Sequence, residues 1–517
     1  MPPLPPRPFL GALSALLLCL LLRSSCVSSF AVVSSPCPLR GPSCTSTSYS
    51  SYSGSSSSSV SSRLYSKNRP NPDGSVKPPL ENRPLQITIT DDIAADVAAS
   101  SPDDSASDLS SSSTDPSSSS SSSVRPLLVR AAFGEVVSRP PVWLMRQAGR
   151  HMSSYRSLVS RYPTFKQRSE IPEIASEISL QPWNKYGTDA AILFSDILTP
   201  LTGMGVSYEI EEKKGPVMSS SIDTWEKALK LKTLDPTEAT PFVGQALKTI
   251  SETVKGTGTA VVGFVGAPFT LATYMLEGKG GSSTDFRSTK EMMSKDPKLV
   301  HHVLEHLCEN IKTYASYQID NGAEVMQLFD SWAGVLSPSD YDVFAAPYQK
   351  RILKHIKDKH PSVPTIVYVK NSGALLERLA LVGADVVSLD WTVSMKEARR
   401  RIDVSKQTEK KGGALVGGRN RVNVQGNLDP ALLFASDDVI VQRTLAMIEE
   451  AGYRGHIANL GHGVDPETDE NKVKLFVDTV KGHEYVIKPR PFTLKKELKV
   501  QPKQNMDKKK TGKKKGF

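Results

Sequence analysis

Eight times between residues 142 and 460, a short apolar run rich in β-branched residues gives way to polar or small residues and then to an amphipathic stretch. A strand followed by a helix, repeated in this way, leaves parallel strands that must be covered on their outer face, and few folds satisfy that condition. The predicted strands are 142–145, 190–194, 260–265, 325–329, 365–369, 386–389, 422–425 and 456–460, and the helices between them include 338–360, 373–382, 394–402, 431–451 and 471–482. Eight such units in a single domain predict an α/β chain folded as a (β/α)8 TIM barrel, with a doubly wound sheet as the next choice.

The rest of the 517-residue chain has a different character. Residues 9–22 form an apolar run behind a lone Arg7, too short to span a bilayer and suited to the core of a signal peptide, so 1–29 is assigned that role. Residues 30–123 begin with Phe30 and are dominated by Ser, with too few large apolar side chains to offset the entropy of ordering. The first part of this stretch is basic and acid-poor, as in a transit peptide, and 91–116 is a more acidic linker. A signal peptide followed by Phe and a transit-like region predicts entry into a complex plastid through the secretory route. Four of the five cysteines lie in this leader and only Cys308 in the barrel region, so the folded part has no disulfide framework to suit it to secretion.

The barrel domain is expected over 124–490 and a basic disordered tail over 491–517. The net charge of +10 suggests nucleic acid at first sight, but the tail alone carries ten Lys against Glu497 and Asp507. That leaves the folded part near neutral, and no nucleic-acid motif accompanies the tail, so nucleic acid is not an expected partner. No second hydrophobic stretch follows the leader, and no stable membrane anchor is expected.

The ends of the predicted strands carry the chemistry. In order they lead to Arg146, Gln147 and Arg150; Ser195 and Asp196; Pro268, Thr270 and Tyr274; Asp330 and Ser331; Lys370 and Asn371; Asp390; Asn427 and Asp429; and His462. In a barrel these positions converge on the C-terminal face, where active sites of this fold are built. Two guanidiniums at one strand exit make a clamp for carboxylates or phosphates, although any Arg pair can equally form surface ion pairs. Ser337, Asp390 and Asp429 read as helix or turn caps. Asp196 differs, because it follows ILF and precedes Ile197 and Leu198. A carboxylate in such apolar surroundings is costly unless donors or a ligand meet it.

Seven stretches carry a resemblance: MRQAGR (145–150), FSDIL (194–198), GAPFTLATYMLEGKGGSS (266–283), QLFDSWAG (327–334), LDWT (389–392), QGNLDP (425–430) and NLGHG (459–463). In this order they resemble the uroporphyrinogen decarboxylase family over residues 126–483. The resemblance implies a cofactor-independent carboxy-lyase that removes the four acetate carboxyls of uroporphyrinogen III to give coproporphyrinogen III in haem and chlorophyll biosynthesis. It implies substrate contacts at Arg146, Gln147, Ala148, Gly149, Arg150, Asp196, Tyr274, Ser331 and His462. Catalytic roles fall to Asp196, Arg146, Arg150, Tyr274 and His462, and the implied assembly is a homodimer. One departure stands beside the clamp, where His151, Ser153 and Ser154 replace the family's usual aromatic residue and Pro-Glu.

Other signals point less far. His301, His302 and His306 match no zinc pattern and read as a helix surface, so no metal site is predicted. The Gly-rich 278–283 lacks the phosphate-loop spacing and reads as a loop closing over substrate. A thiolate-zinc methyl transferase on the same fold would need more than the isolated Cys308. A non-catalytic tetrapyrrole carrier would keep the arginines and could dispense with Asp196.

Overall fold

Period-2 alternation of buried side chains builds the central sheet of the computed structural model, which describes residues 125–211, 215–278, 286–410 (backbone alone from 404) and 422–485. The strands in chain order are β1 (Ala190–Ile192), β2 (Tyr208–Glu211), β3 (Gly215–Met218), β4 (Ala260–Gly266), β5 (Val325–Phe329), β6 (Thr365–Tyr368), β7 (Val386–Ser388), β8 (Asn423–Gln425) and β9 (His456–Ile457). Seven form one parallel sheet in the order β1-β4-β5-β6-β7-β8-β9, each pair separated by helical crossovers. β2 and β3 pair antiparallel as a separate hairpin that the apolar pattern did not predict.

The eighth position of the barrel is filled by the segment around Val142, which is a single bridging residue where the sequence predicted a strand over 142–145. Val142 pairs with Ala458 of the last strand segment, its carbonyl accepts from Asp189 N, and its N–H donates to Asp189 Oδ2 at 2.7 Å. Arg139 grips the same carboxylate through both guanidinium nitrogens, 2.7 Å each. The pairing stays short for two reasons. Pro140 and Pro141 have no N–H to give, and Arg146 leaves the extended region altogether at φ 57°.

Two apolar layers result. One lies inside the barrel and includes Trp143, Met145, Val262, Val325, Ile366, Tyr368, Val386 and Ile457, floored by the helix Leu127–Ala132. The larger layer lies between the sheet and the outer helices. Polar side chains cross the barrel interior in a satisfied belt. Trp143 Nε1 donates to Gln425 Oε1 at 2.9 Å, and Gln425 Nε2 donates to Ser388 Oγ at 2.9 Å and Gln327 Oε1 at 3.1 Å. Such a belt fixes side-chain positions below the mouth because every buried donor has one acceptor geometry to satisfy.

Several predicted helices are shorter or divided. The one predicted over 338–360 breaks at Ala345 into Pro338–Phe344 and Ala346–Lys359, the second carrying Pro347 in its first turn. The helix predicted over 373–382 reduces to Leu376–Leu379 after a 3-10 turn, and 431–451 divides into a 3-10 turn Pro430–Phe434 and a helix Asp437–Ala451. The segment 394–402 extends instead to Met395–Lys410. The predicted leader, basic tail and most of the Gly-rich loop 278–283 lie outside the described residues.

Candidate active site

The strand ends open on one side of the barrel, and an aromatic collar lines the floor there. Phe329 meets Phe264 edge-on at 5.7 Å and Tyr368 at 5.8 Å between ring centroids. These rings stand near the ends of β4, β5 and β6, so the alternation that fills the barrel also lines its upper end with apolar surface.

Asp196 sits in the turn after β1. Its Oδ1 accepts from Leu198 N at 2.8 Å, and no donor from the described residues meets Oδ2. Its backbone N–H donates to Thr199 Oγ1 at 3.3 Å, which itself bonds Ser195 Oγ at 3.0 Å. Burial raises the Asp196 pKa, while the Leu198 N–H and the Arg146 charge oppose the rise. Tyr274, on the helix Pro268–Glu277 after β4, packs against Trp332 with ring centroids 4.0 Å apart and 32° between planes. Burial and then the Asp196 charge lift the Tyr274 pKa, so its hydroxyl stays protonated.

His462 faces Arg146 from the last strand end. Its ring is parallel to Tyr368 (7° between planes), and the Tyr368 hydroxyl lies 3.2 Å from His462 Nδ1 and 3.1 Å from Gly461 O. Burial, helped by Arg146 and Lys370, lowers the His462 pKa to about 4, against a smaller upward pull from Asp390. The imidazole is therefore neutral at physiological pH. Arg146 acts electrostatically on Asp196, Tyr274, Tyr368 and His462 alike, so these four groups lie within reach of its charge.

The remaining predicted contacts divide. Arg150 is exposed, and its carbonyl accepts from Arg156 Nη1 at 2.7 Å. Ala148 and Gly149 are half-buried in the same loop, and Ser331 is half-buried beside Trp332. Gln147 is turned the other way. Fully buried, it accepts from Leu144 N at 3.2 Å and donates to Ala190 O at 3.0 Å, so its side chain braces the loop against β1.

Asp330 and Asp390 are buried with donors on both carboxylate oxygens. Asp330 accepts from Thr270 N, Thr270 Oγ1 and Gln349 Nε2, and Asp390 from Ser372 N, Thr392 N and Thr392 Oγ1. Asp429 and Ser337 cap the helical turns that follow them, as the sequence predicted. Tyr368, Trp332 and the phenylalanine collar were missed, because an aromatic residue at a strand end reads equally well as core. The three histidines of 301–306 lie on the helix Pro297–Asp320 with separate partners: Tyr348 for His301, the Trp225 ring for His302 and Lys232 O for His306.

Comparison with known proteins bears on this geometry. Residues 124–483 match the sequence profile of the family described as uroporphyrinogen decarboxylase (URO-D). The uroporphyrinogen decarboxylase of Nostoc punctiforme is 49% identical over 360 residues, covering 70% of this chain and 97% of that protein. The one from Prochlorococcus marinus strain NATL1A is 47% identical over 363 residues, covering 70% and 98%. Among solved structures, a methyltransferase from Methanosarcina mazei superposes with a TM-score of 0.54 at 20% identity, covering 69% of this chain and 99% of that one, a likeness of fold alone.

Proposed function

The chain belongs to the uroporphyrinogen decarboxylase family, and from that premise we propose how its barrel mouth works. The protein is a carboxy-lyase that decarboxylates uroporphyrinogen in tetrapyrrole biosynthesis. Loss of carbon dioxide needs an electron sink, and a pyrrole ring protonated at carbon provides one. The ring then carries positive charge next to its N–H groups. Asp196 is the group that meets those N–H groups, stabilises the cation and so lowers the barrier. The observation that supports this assignment is its environment: a carboxylate with a raised pKa, one oxygen bonded and the other without a donor among the described residues, within reach of the Arg146 charge.

Arg146 and Arg150 hold the peripheral carboxylates, since a planar guanidinium binds such groups through two parallel bonds. His462, kept neutral and oriented by Tyr368, and Ser331 complete the polar rim. Tyr274 holds its hydroxyl beside Asp196, and the aromatic collar takes the macrocycle face. The backbone of the 147–149 turn shapes the clamp, with Gln147 as its brace. All four acetate side chains are processed at this mouth, uroporphyrinogen III going to coproporphyrinogen III, without metal or organic cofactor. Purified protein incubated with uroporphyrinogen, dark and reduced, should release carbon dioxide stepwise. A protein that binds uroporphyrinogen and leaves all its carboxyls intact would be a carrier instead.

The same proposal covers address and assembly. The family profile begins at residue 124, and the cyanobacterial relatives match 360 and 363 residues of this chain over nearly their whole length; both support reading the first 123 residues as a signal peptide and a transit region directing the chain to a plastid. A fluorescent protein behind residues 1–84 should enter plastids; fluorescence in the medium would exclude this. The assembly is a homodimer, and sedimentation at the mass of one chain would rule that out.

A further inference from the structure

The clamp arginine has an unusual seat. Arg146 takes φ 57°, a left-handed conformation that a side chain with a Cβ rarely adopts, and the residue before it is held by the neighbouring last strand segment, more than 300 residues on in the chain. Met145 N donates to Asn459 Oδ1 at 3.0 Å, and Met145 O accepts from Val464 N at 2.9 Å. Between those two anchors lies Gly463. A methyl group on Gly463 would stand 2.3 Å from Arg146 Cδ, 2.7 Å from Cγ and 3.0 Å from Cβ. Those atoms are the root of the arginine side chain, so a rotation at its tip would not relieve the contact. Gly463 itself is outside the left-handed region, so its own backbone does not require glycine.

We propose that Gly463 is a positioning residue for the decarboxylation: its bare Cα is the shelf along which the Arg146 stem lies, and it aims the guanidinium at the substrate carboxylates before they arrive. This rests on the reading of Arg146 as a carboxylate clamp. The left-handed turn lifts Arg146 out of the strand direction, Asn459 and Val464 fix where that turn occurs, and the missing Cβ leaves room for the stem. A clamp set in advance loses less freedom when the ligand binds.

A double-mutant cycle on the full chain tests this, read as the dissociation constant for uroporphyrin, the oxidised fluorescent octacarboxylate, together with KM, kcat and melting temperature. Gly463→Ala should weaken uroporphyrin binding at least tenfold and raise KM by a similar factor, with the melting temperature nearly unchanged. In the Arg146→Ala background, where the stem is gone, the same substitution should change binding less than twofold. Equal losses in both backgrounds, or no loss in the single variant while Arg146→Ala is impaired, would overturn the inference and leave the clamp reading intact. Wild-type binding by Arg146→Ala would remove the clamp reading and this inference with it. Should Gly463→Ala fail to fold, folding recovered by adding Arg146→Ala supports the stem contact, and failure in both backgrounds overturns it.

Discussion

The turns after β1 and β5 each end a parallel strand with a carboxylate at the same end of the barrel, yet the two carboxylates have opposite situations. Asp330, after β5, has donors on both oxygens from Thr270 and Gln349, and Tyr341 in turn donates to Gln349 at 2.6 Å. Asp196, after β1, has one backbone donor on Oδ1 and, among the described residues, none on Oδ2. Burial raises the pKa of both, so burial does not distinguish them. The difference lies in completeness. A carboxylate with donors on both oxygens serves as a joint between elements, whereas one whose second oxygen meets no donor among the described residues keeps an oxygen on which a ligand's donors can be tested.

The sharpest way to break this comparison is Asp196→Asn, which keeps the shape and removes the charge. Turnover should fall on the order of a hundredfold or more, since the lost interaction strengthens in the transition state, while binding and melting temperature hold. Near-normal kcat would make Asp196 as structural as Asp330. Next in size is Arg150→Lys, which keeps the charge but loses the fork. Affinity should weaken by ~1–3 kcal/mol with folding unchanged, and unaltered uroporphyrin binding would return Arg150 to the solvent surface.

Asp330→Asn should do the reverse of Asp196→Asn. Replacing one acceptor with an amide leaves Gln349 or Thr270 facing a donor, and stability should drop by about 1–2 kcal/mol, read by urea denaturation. Turnover per folded molecule should fall far less than in Asp196→Asn, and a larger loss of kcat than of stability would show that the joint takes part in the chemistry. The smallest effect at neutral pH concerns His456, whose buried ring Nε2 lies 2.9 Å from Gly426 O. Burial holds its pKa down at about 3, and that of His151 at about 4, against an unfolded value near 6.5. Below 6.5 the unfolded chain takes up protons that the folded one refuses, so the stability these rings carry is complete above 6.5 and drains away as pH falls towards 4 and 3. His456→Gln should leave the melting temperature at pH 7 nearly unchanged and flatten its decline between pH 6 and 4. An unchanged slope would assign the acid sensitivity to other groups.

Much of the fold is local information. Apolar runs at 190–194, 260–265 and 325–329 report strands because each alternates or saturates with residues that only a two-sided burial can accept, and caps at Ser337 and Asp429 announce helix starts within three residues. The segment 142–145 alternates as a strand should, Trp143 and Met145 facing the interior and Val142 and Leu144 the outer layer, but only Val142 forms a ladder bridge because Pro140 and Pro141 lack an N–H and Arg146 leaves the extended region. The hairpin of β2 and β3 was missed because its residues alternate weakly and its strands are four residues each.

Legible from residues alone, therefore, are the barrel's strands in order, the family, and the short set of polar residues at strand ends from which a site could be made. Those depend on periodicity and on motifs read a few residues at a time. Which of that set are already engaged by the protein depends on the folded chain. Gln147 turns inward to β1, Asp330 and Asp390 are closed off by Thr270, Gln349, Ser372 and Thr392, and Arg146 takes a left-handed turn fixed by Asn459 and Val464 more than 300 residues away. The physical reason is that a hydrogen bond is satisfied by whatever lies within about 3 Å in space. Whether Asp196 keeps an open oxygen depends on partners its neighbours in sequence do not reveal.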